Sequence, residues 1–571
     1  MSETRSLPIA AEHREFTVKA GGRELPREHQ LVGVTVSTRV NKIAAARLVY
    51  VDGAAASAGF PLADSDLFAP GETVEILAGA GGEASRLFVG TVVRVGLRMR
   101  DSAGSQFIVD CRHAASRLAV APSCAEFHAQ TDSAIIAAIL DAAGIAGDVE
   151  DTAVSHEQVV QFDVCDWDFL LARARAAGLL VWCDGESLSV RRPALEGEPL
   201  CTLNYGATLL EFDGEIDARR QHPAIAGSGW DAGAQENIRV DAATPAFTPP
   251  GHSDAGQLAA VGGRALQLRH PAWPAAEAQA RVDGVALGRR VDQVCGRGKC
   301  AGIASLRVGG VVELAGLGRN FDGRALVTGV RHEFSLVQGW KTHVQFGGIE
   351  AEAALPRPVE PVSVAGLQIG VVTANEDPAG EFRIRVRLPL LEVAGDGLWA
   401  RLASLDAGDN RGFCFRPEIG DEVTVGFLGG DSRHPVILGM LHSSARPAPL
   451  PGADDNHEKL YRSRAGMQLK FDDDKVALSL ATPEGNRIDL DQQAGSLTLA
   501  DQHGNRLVMD EQGIHIESIA AIEVRSAGDT TLGGSNLALQ ADIDLKLEGA
   551  ASAELSGGAS ARLSGGLVQI N

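Results

Sequence analysis

The chain has 571 residues, 45% of them apolar, and a formal net charge of −22. That length allows several domains with cores of their own, and 66 glycines beside only 3 tyrosines point to a β-rich protein with many turns. The acidic balance disfavours nucleic acid and anionic membrane surfaces, which recruit clustered Lys and Arg.

The eight cysteines lie scattered between Cys111 and Cys414, a pattern of reduced thiols and not of a disulfide framework. Cys295 and Cys300 have no second Cys/His pair at zinc-ligand spacing, so neither a metal nor another cofactor is expected. The start, "MSETRSLPIAAEHREF", lacks a basic-then-apolar signal sequence. No run reaches the roughly 18 apolar residues of a membrane span. The expected history is synthesis in the cytoplasm and, for any export, a route that needs no signal peptide.

In chain order, "HQLVGVTVSTRV" (His29–Val40) and "RLFVGTVVRVGLRMR" (Arg86–Arg100) alternate apolar with polar or small residues, as half-buried strands do. "TDSAIIAAILDAAG" reads as a helix. Thr131 or Asp132 can cap it, Ile135, Ile136, Ile139 and Leu140 form its buried face, and Gly144 ends it. "DWDFLLARARAAG" repeats that logic, with Asp166 as cap and Gly178 as stop. A third helix is expected within Pro274–Val291, against the preference of Gly284 and Gly288.

Residues 1–365 therefore read as β-rich domains with a few helices. The proline-rich stretch Ala351–Gly366 reads as a linker. Residues 366–442 follow as a compact unit of short strands, the pattern of a small closed barrel such as an OB-fold. In its second strand Phe382, Ile384, Val386 and Leu388 should face inward and Arg383, Arg385 and Arg387 outward. "LWARLAS", "GFCF", "DEVTVGFL" and "HPVILGML" supply its other expected strands. Residues 443–456 form a second linker. Residues 457–571 are repetitive: "GNRIDLDQQ" (Gly485–Gln493) returns as "GNRLVMDEQ" (Gly504–Gln512), nineteen residues later.

The final stretch is the most regular. From Leu537 to Leu567 every second position is apolar or small, and Leu539, Leu547, Leu555 and Leu563 fall eight residues apart. A helix would scatter that set over every face. An unbroken strand would run roughly 100 Å at about 3.3 Å per residue, with unpaired edges and a wet apolar face. Several chains wound about one axis would satisfy the pattern, with Ala and Gly leaving a narrow core. A single-chain β-solenoid competes, and suits the nineteen-residue spacing upstream better than the octads. An unstructured linker is the third reading.

These segments resemble, in order and over nearly the whole chain, the VgrG-type spike proteins of contractile injection systems. "VSTRVNKIAAARLVYVDG" (Val36–Gly53), "HEQVVQFDVCDWDFLLARARAAGLLVWCDG" (His156–Gly185) and "LNYGATLLEFDGEIDARRQ" (Leu203–Gln221) are similar to the family's hub. "GVVTANEDPAGEFRIRVRLPLL" and "PEIGDEVTVGFLGGDSRHPVILGMLH" resemble its OB domain, and the octads its triple-stranded β-helix. The resemblance implies a mainly β fold: a hub of β-barrel-like domains with a few helices (1–365), an OB-fold (366–442), a linker (443–456) and an intertwined trimeric β-helix needle (457–571). It implies a homotrimer that docks on an inner tube protein among baseplate proteins, carries a PAAR-like tip protein, has room for non-covalent effector cargo, and pierces a target envelope when the machine contracts. Leu537, Leu539, Ile543, Leu545, Leu547, Leu555 and Leu563 would fill the needle core. Leu567, Val568, Gln569, Ile570 and Asn571 would form the tip platform. No effector domain or phage lysozyme is expected within this length. Type VI secretion, extracellular or membrane-anchored injection particles and phage tails all use this design.

Catalytic motifs are not found. "GSGW" (Gly227–Trp230) lacks the glycine spacing of a nucleophile elbow. "GRGKC" (Gly296–Cys300) has Cys where a phosphate-binding loop needs Ser or Thr. "FDDDK" (Phe471–Lys475) reads as a charged turn, since it lacks an EF-hand's ligand pattern. His222, His332, His343, His434 and His442 show no metal-ligand spacing and read as solvated or core-satisfied. The Arg383/Arg385/Arg387 stripe is expected to meet acidic groups of a neighbouring subunit or solvent and not nucleic acid, which would need stacking aromatics beside it; the unit offers mainly Phe382, Trp399, Phe413, Phe415 and Phe427, and Phe382 and Phe427 fall on apolar faces. The leading expectation is mechanical and non-enzymatic. The alternative is a cell-wall-degrading tail enzyme with its site in the first 365 residues. A fibre-like adhesin would need a receptor-binding knob after the repeat.

Overall fold

The computed structural model describes residues 15–26, 28–53, 59–80, 83–100, 104–349, 363–364, 366–391 and 395–570. The fold is mainly β and divides into two compact units, Met1–His442 and Ser443–Asn571.

The first unit opens with β1 (Glu15–Ala20), β2 (Leu31–Arg39), β3 (Lys42–Val51), β4 (Thr73–Ala80), β5 (Glu83–Arg100) and β6 (Gly104–Arg112). It continues through β7 (Pro122–Thr131), α1 (Asp132–Ala142), β8 (Ser155–Cys165) and α2 (Asp166–Ala176). Then come β9 (Leu209–Ile216), β10 (Ile225–Asp231), α3 (Ala255–Gly262), α4 (Ala275–Val291), β11 (Val294–Ala301), β12 (Gly323–Ser335) and β13 (Gly339–Phe346). Strands from both ends of this stretch share one thirteen-stranded sheet, ten of whose strands follow the order β9-β11-β13-β12-β2-β3-β6-β5-β4-β1. The join is β12 against β2, with Arg331 opposite Ser37.

Alternation along these strands buries one face. Leu48, Tyr50, Ile76 and Val109 pack with Ile135, Ile136 and Leu140 of α1 and Leu170 of α2. A second core gathers Val327, Val330, Val344 and Phe346. The Thr131 hydroxyl accepts the Ala134 N–H and caps α1, and Gly144 follows its end with a left-handed φ of 65°. At α2 the capping position falls on Cys165, one residue before the expected Asp166. The Asp166 carboxylate instead accepts from the Ser123 hydroxyl and the Gln161 amide, each at 2.7 Å. Helix α4 runs unbroken through Gly284 because α2's stop, Gly178, lies against it. A Cβ on Gly284 would sit 2.8 Å from the Gly178 Cα. Helix α3 was not foreseen from the pattern; Asp254 caps it by accepting from the N–H groups of Gly256 and Gln257.

A closed five-stranded barrel completes the unit. Its strands β14 (Gln368–Ala374), β15 (Ile384–Arg387), β16 (Leu398–Leu402), β17 (Glu422–Phe427) and β18 (Pro435–Met440) close in the order β14-β15-β16-β18-β17. Ile384, Val386 and Leu388 are buried as their alternation requires. Phe382 departs from that pattern: it precedes the strand with a left-handed φ of 57° and is 79% exposed. "GFCF" also departs, its Gly412 closing a two-residue hairpin outside the barrel.

The second unit is an antiparallel meander of β19 (Glu458–Arg462), β20 (Gln468–Asp472), β21 (Ala477–Ala481), β22 (Arg487–Asp491), β23 (Ser496–Ala500), β24 (Arg506–Asp510) and β25 (Gly513–Glu517), paired in sequence order. The nineteen-residue repeat is one down-and-up pair of this meander, not a solenoid coil. Gly485 and Gly504 occupy equivalent turns with φ of 105° and 97°. Beyond Glu517 the described residues form no hydrogen-bonded strand.

Candidate functional site

Two features of the fold stand apart from ordinary cores. The first is an ionic joint where the barrel meets the β-rich domains before it. Strand β8 reaches into the barrel: Val160 joins its apolar core. The Gln158 amide donates to the carbonyls of Trp399 (3.3 Å) and Arg433 (2.8 Å), and the Trp399 N–H donates back to Gln158 (3.1 Å). The Ser432 hydroxyl donates to the Val160 carbonyl at 3.0 Å.

Behind this seam lies a buried charge network. Arg433, 5% exposed, donates to Asp431 on its own loop and at 2.9 Å to Glu277 of α4. The same guanidinium lies 3.3 Å from Nδ1 of His156, the second residue of β8. The other ring nitrogen of His156 lies 3.2 Å from Asp132 of α1 and 3.0 Å from Arg173 of α2. Arg173 donates to Asp132 at 2.6 Å, and Arg281 donates to Glu277 at 2.9 Å. Arginines and carboxylates thus alternate, so no charge is buried alone, as a low-dielectric site demands.

The titration of these groups follows. Burial pushes the Glu277 carboxyl up, but the guanidiniums of Arg433, Arg281 and Arg173 outweigh it and hold it at about 2. Burial likewise raises the Asp132 carboxyl, and Arg173 and His156 bring it down to about 2. Burial lowers His434 from 6.5 to about 4, with Asp431 opposing.

Two arginines of the stripe make ion pairs within the chain, and Arg387 is exposed, as the solvated alternative has it. Arg383 pairs with Asp377 and, across the seam, with Glu157 at 2.8 Å. Arg385 pairs with Asp396 at 3.0 Å, and both guanidiniums lie over the Trp399 ring. "GRGKC" is part of β11, "GSGW" is part of β10, and in "FDDDK" the Asp472 carboxylate accepts the Lys475 N–H as a turn residue does. His332 is buried with its Nδ1 at 3.0 Å from the Thr342 hydroxyl. Among the described residues no group of His, Cys, Asp and Glu is arranged to hold a metal ion.

The second feature is the meander's apolar face. Tyr461, Leu469, Leu480, Ile488, Leu499, Leu507 and Ile516 stand opposite one another strand by strand. Phe471, Leu478, Leu490, Leu497, Met509 and Ile514 make a parallel row on the same face. Leu480, Leu499 and Ile516 remain 43%, 42% and 63% exposed. A single chain leaves both rows without cover.

The residues expected to fill a needle core are all exposed, from Leu539 at 55% to Ile543 at 92%. Leu537, Leu545, Leu547, Leu555 and Leu563 lie between those limits, and one chain brings none of them together. Leu567, Val568 and Ile570 are exposed as well, Gln569 lies between them, and Asn571 falls outside the described residues.

Comparison with known proteins places this architecture. A family model described as the Alg8 N-terminal domain matches residues 10–335, more than half of the chain. The type VI secretion system/phage-baseplate injector OB domain matches residues 368–442. The chain belongs to the Alg8 N-terminal domain family, and it resembles the VgrG-type spike proteins. The chain is 29% identical over 221 residues to the type VI secretion system spike protein VgrG1b of Pseudomonas aeruginosa, covering 34% of this chain and 29% of that one. It is 32% identical over 135 residues to VgrG4b of the same organism, covering 19% and 16%. The chain therefore matches under a third of the length of these curated relatives. Its fold is that of a chain in the Francisella PdpA–VgrG complex, half-lidded form, with a TM-score of 0.53 at 8% identity over 89% of this chain and 88% of that one. Among the described residues of this chain, no helix is long and apolar enough to cross a membrane.

Proposed function

We propose that the chain is the structural hub and spike subunit of a contractile injection machine and acts as a homotrimer. The observation that carries this reading is the pair of uncovered apolar rows on the β19–β25 sheet. Such a face needs another surface against it, and a three-fold arrangement would turn three of these sheets inward. The alternating tail supports the same reading. Leu537, Leu539, Ile543, Leu545, Leu547, Leu555 and Leu563 would then meet their copies on the axis, and Leu567–Asn571 would seat a PAAR-like tip protein.

Residues 1–365 would be the hub docked on the inner tube protein and baseplate, 366–442 the collar, and 457–571 the needle. Cargo would travel without covalent fusion. The protein would be made in the cytoplasm and delivered to or through a target envelope on contraction. Its work is mechanical: stiffness from interchain pairing, with no catalytic step.

Light scattering on the full chain tests this, with three times the chain mass expected. Leu480→Asp with Leu499→Asp should shift the mass toward one chain, since each buried leucine contributes about 1.5–3 kcal/mol per copy. A wild-type monomer at micromolar concentration sinks the reading.

A further inference from the structure

A cavity of about 430 Å³ lies apart from the ionic joint and the meander. It is enclosed by residues 85–89 of β5, residues 183–185 and the loop 304–308. Thr38 of β2 and Val330 of β12, partners across the sheet, line it together with His332. The loop is pinned at its start. The Gly302 N–H donates to the Trp340 carbonyl at 3.1 Å, and the Ile303 N–H to the Thr342 hydroxyl at 3.0 Å. The volume falls within the range of small-molecule sites.

His113 also lines this cavity and is only 2% exposed. Its Nδ1 accepts the Ala115 N–H at 3.1 Å, so the ring proton sits on Nε2. Burial lowers its pKa below the usual 6.5 and keeps the ring neutral. The carbonyls of Gly185 and Glu186 oppose that shift without closing a hydrogen bond on Nε2, which has no partner. The neighbouring groups on the wall are served: His332 meets the Thr342 hydroxyl at 3.0 Å, and the Cys183 Sγ accepts the Ala44 N–H at 3.3 Å. A buried donor without an acceptor is costly, and native folds leave few of them.

The exposed part of the lining carries charge of both signs. Arg86 is committed to Glu75 at 2.7 Å and to Glu186 at 3.0 Å. Arg307 and Asp184 are exposed and make no ion pair among the described residues. Leu87, Val89, Leu306 and Val308 supply apolar wall. A simple anion such as phosphate would meet Asp184 and Glu186 as well as Arg307. A simple cation would meet Arg307. A zwitterion satisfies both signs at once.

We infer that this cavity binds a free amino acid whose side chain ends in an oxygen acceptor. Its carboxylate would pair with Arg307 and its ammonium with Asp184, while the side-chain oxygen accepts the Nε2–H of His113. The site is complete within one chain and needs neither the trimer nor the spike reading.

Calorimetric titration of the full chain tests this. Glutamine, asparagine, glutamate, aspartate, serine and threonine serve as probes, with norvaline and inorganic phosphate as controls. At least one probe should bind with a Kd below about 1 mM. Norvaline, which has no side-chain oxygen, should bind about tenfold more weakly or worse. Arg307→Gln with Asp184→Asn alters only exposed side chains and should weaken the best probe about tenfold or more. His113→Phe should bring that probe down to the level of norvaline; should this variant unfold, the exposed pair and the norvaline comparison decide. No probe binding at about 10 mM overturns the site, as does binding unmoved by the exposed double change. Phosphate binding as tightly as the best probe overturns the zwitterion. A crystal structure with the best probe in which water alone meets Nε2 overturns the role of His113 and with it the inference.

Discussion

Arg433 illustrates how single residues hold this molecule. Its guanidinium faces Asp431, Glu277 and His156 with almost no solvent contact. Arg433→Ala would leave Asp431 buried without its guanidinium and Glu277 with Arg281 as its remaining partner, a loss of about 3–5 kcal/mol for a broken buried pair. Chemical denaturation of the first unit should show it, while Glu157→Gln at the exposed rim should cost under about 1 kcal/mol. The joint is also acid-sensitive, with a determined sign. His434 is held neutral, its pKa lowered from 6.5 to about 4, so its contribution is complete above 6.5 and is lost as pH falls toward 4. Glu277, lowered from 4.5 to about 2, and Asp132, lowered from 3.8 to about 2, contribute above their unfolded values and lose that contribution as pH falls toward 2. A pH series of melting temperatures should therefore fall from about pH 6.5 downward. His434→Gln should flatten the part of that fall above pH 4.5.

At the scale of elements, local chemistry was legible and long-range chemistry was not. Thr131 and the isoleucines of α1 act in the structure as their spacing requires. Gly284 reads as a weakness of α4 from propensity alone, yet it is where α4 meets Gly178. Gly284→Val places a branched side chain against backbone and should destabilise by at least about 1–3 kcal/mol, measurable by thermal unfolding. The pairing of Arg383 across the seam was not legible because Glu157 stands far from it in sequence. The ionic joint was missed for the same reason: Asp132, His156, Arg173, Glu277 and Arg433 share no motif. The available signal was charge in apolar surroundings, such as Arg173 within "DWDFLLARARA". Phe382 was misplaced because alternation was extended two residues beyond the strand, into a turn that needs a left-handed residue.

For the whole molecule, the mainly β fold and the small barrel were readable in the sequence, since period-two patterns and short strands survive without tertiary information, while the likeness to VgrG-type spikes rested on particular segments such as His156–Gly185. The tail was legible only as a demand for partners. Its leucines are exposed in one chain, so replacing Leu547 and Leu555 with Asp should leave the first unit's melting unchanged while lowering the detergent resistance of the proposed trimer on a gel.

The uncovered rows of the meander carry a thermodynamic consequence of their own. If copies shield that surface, as proposed, the stability of the unit is tied to mass action. Its melting temperature should then rise with protein concentration, while melting of the ionic joint, which lies within one chain, should not. The same dependence sets a rule for biogenesis: until its copies meet, each new chain holds a sticky sheet, and scarcity of partners is itself a hazard.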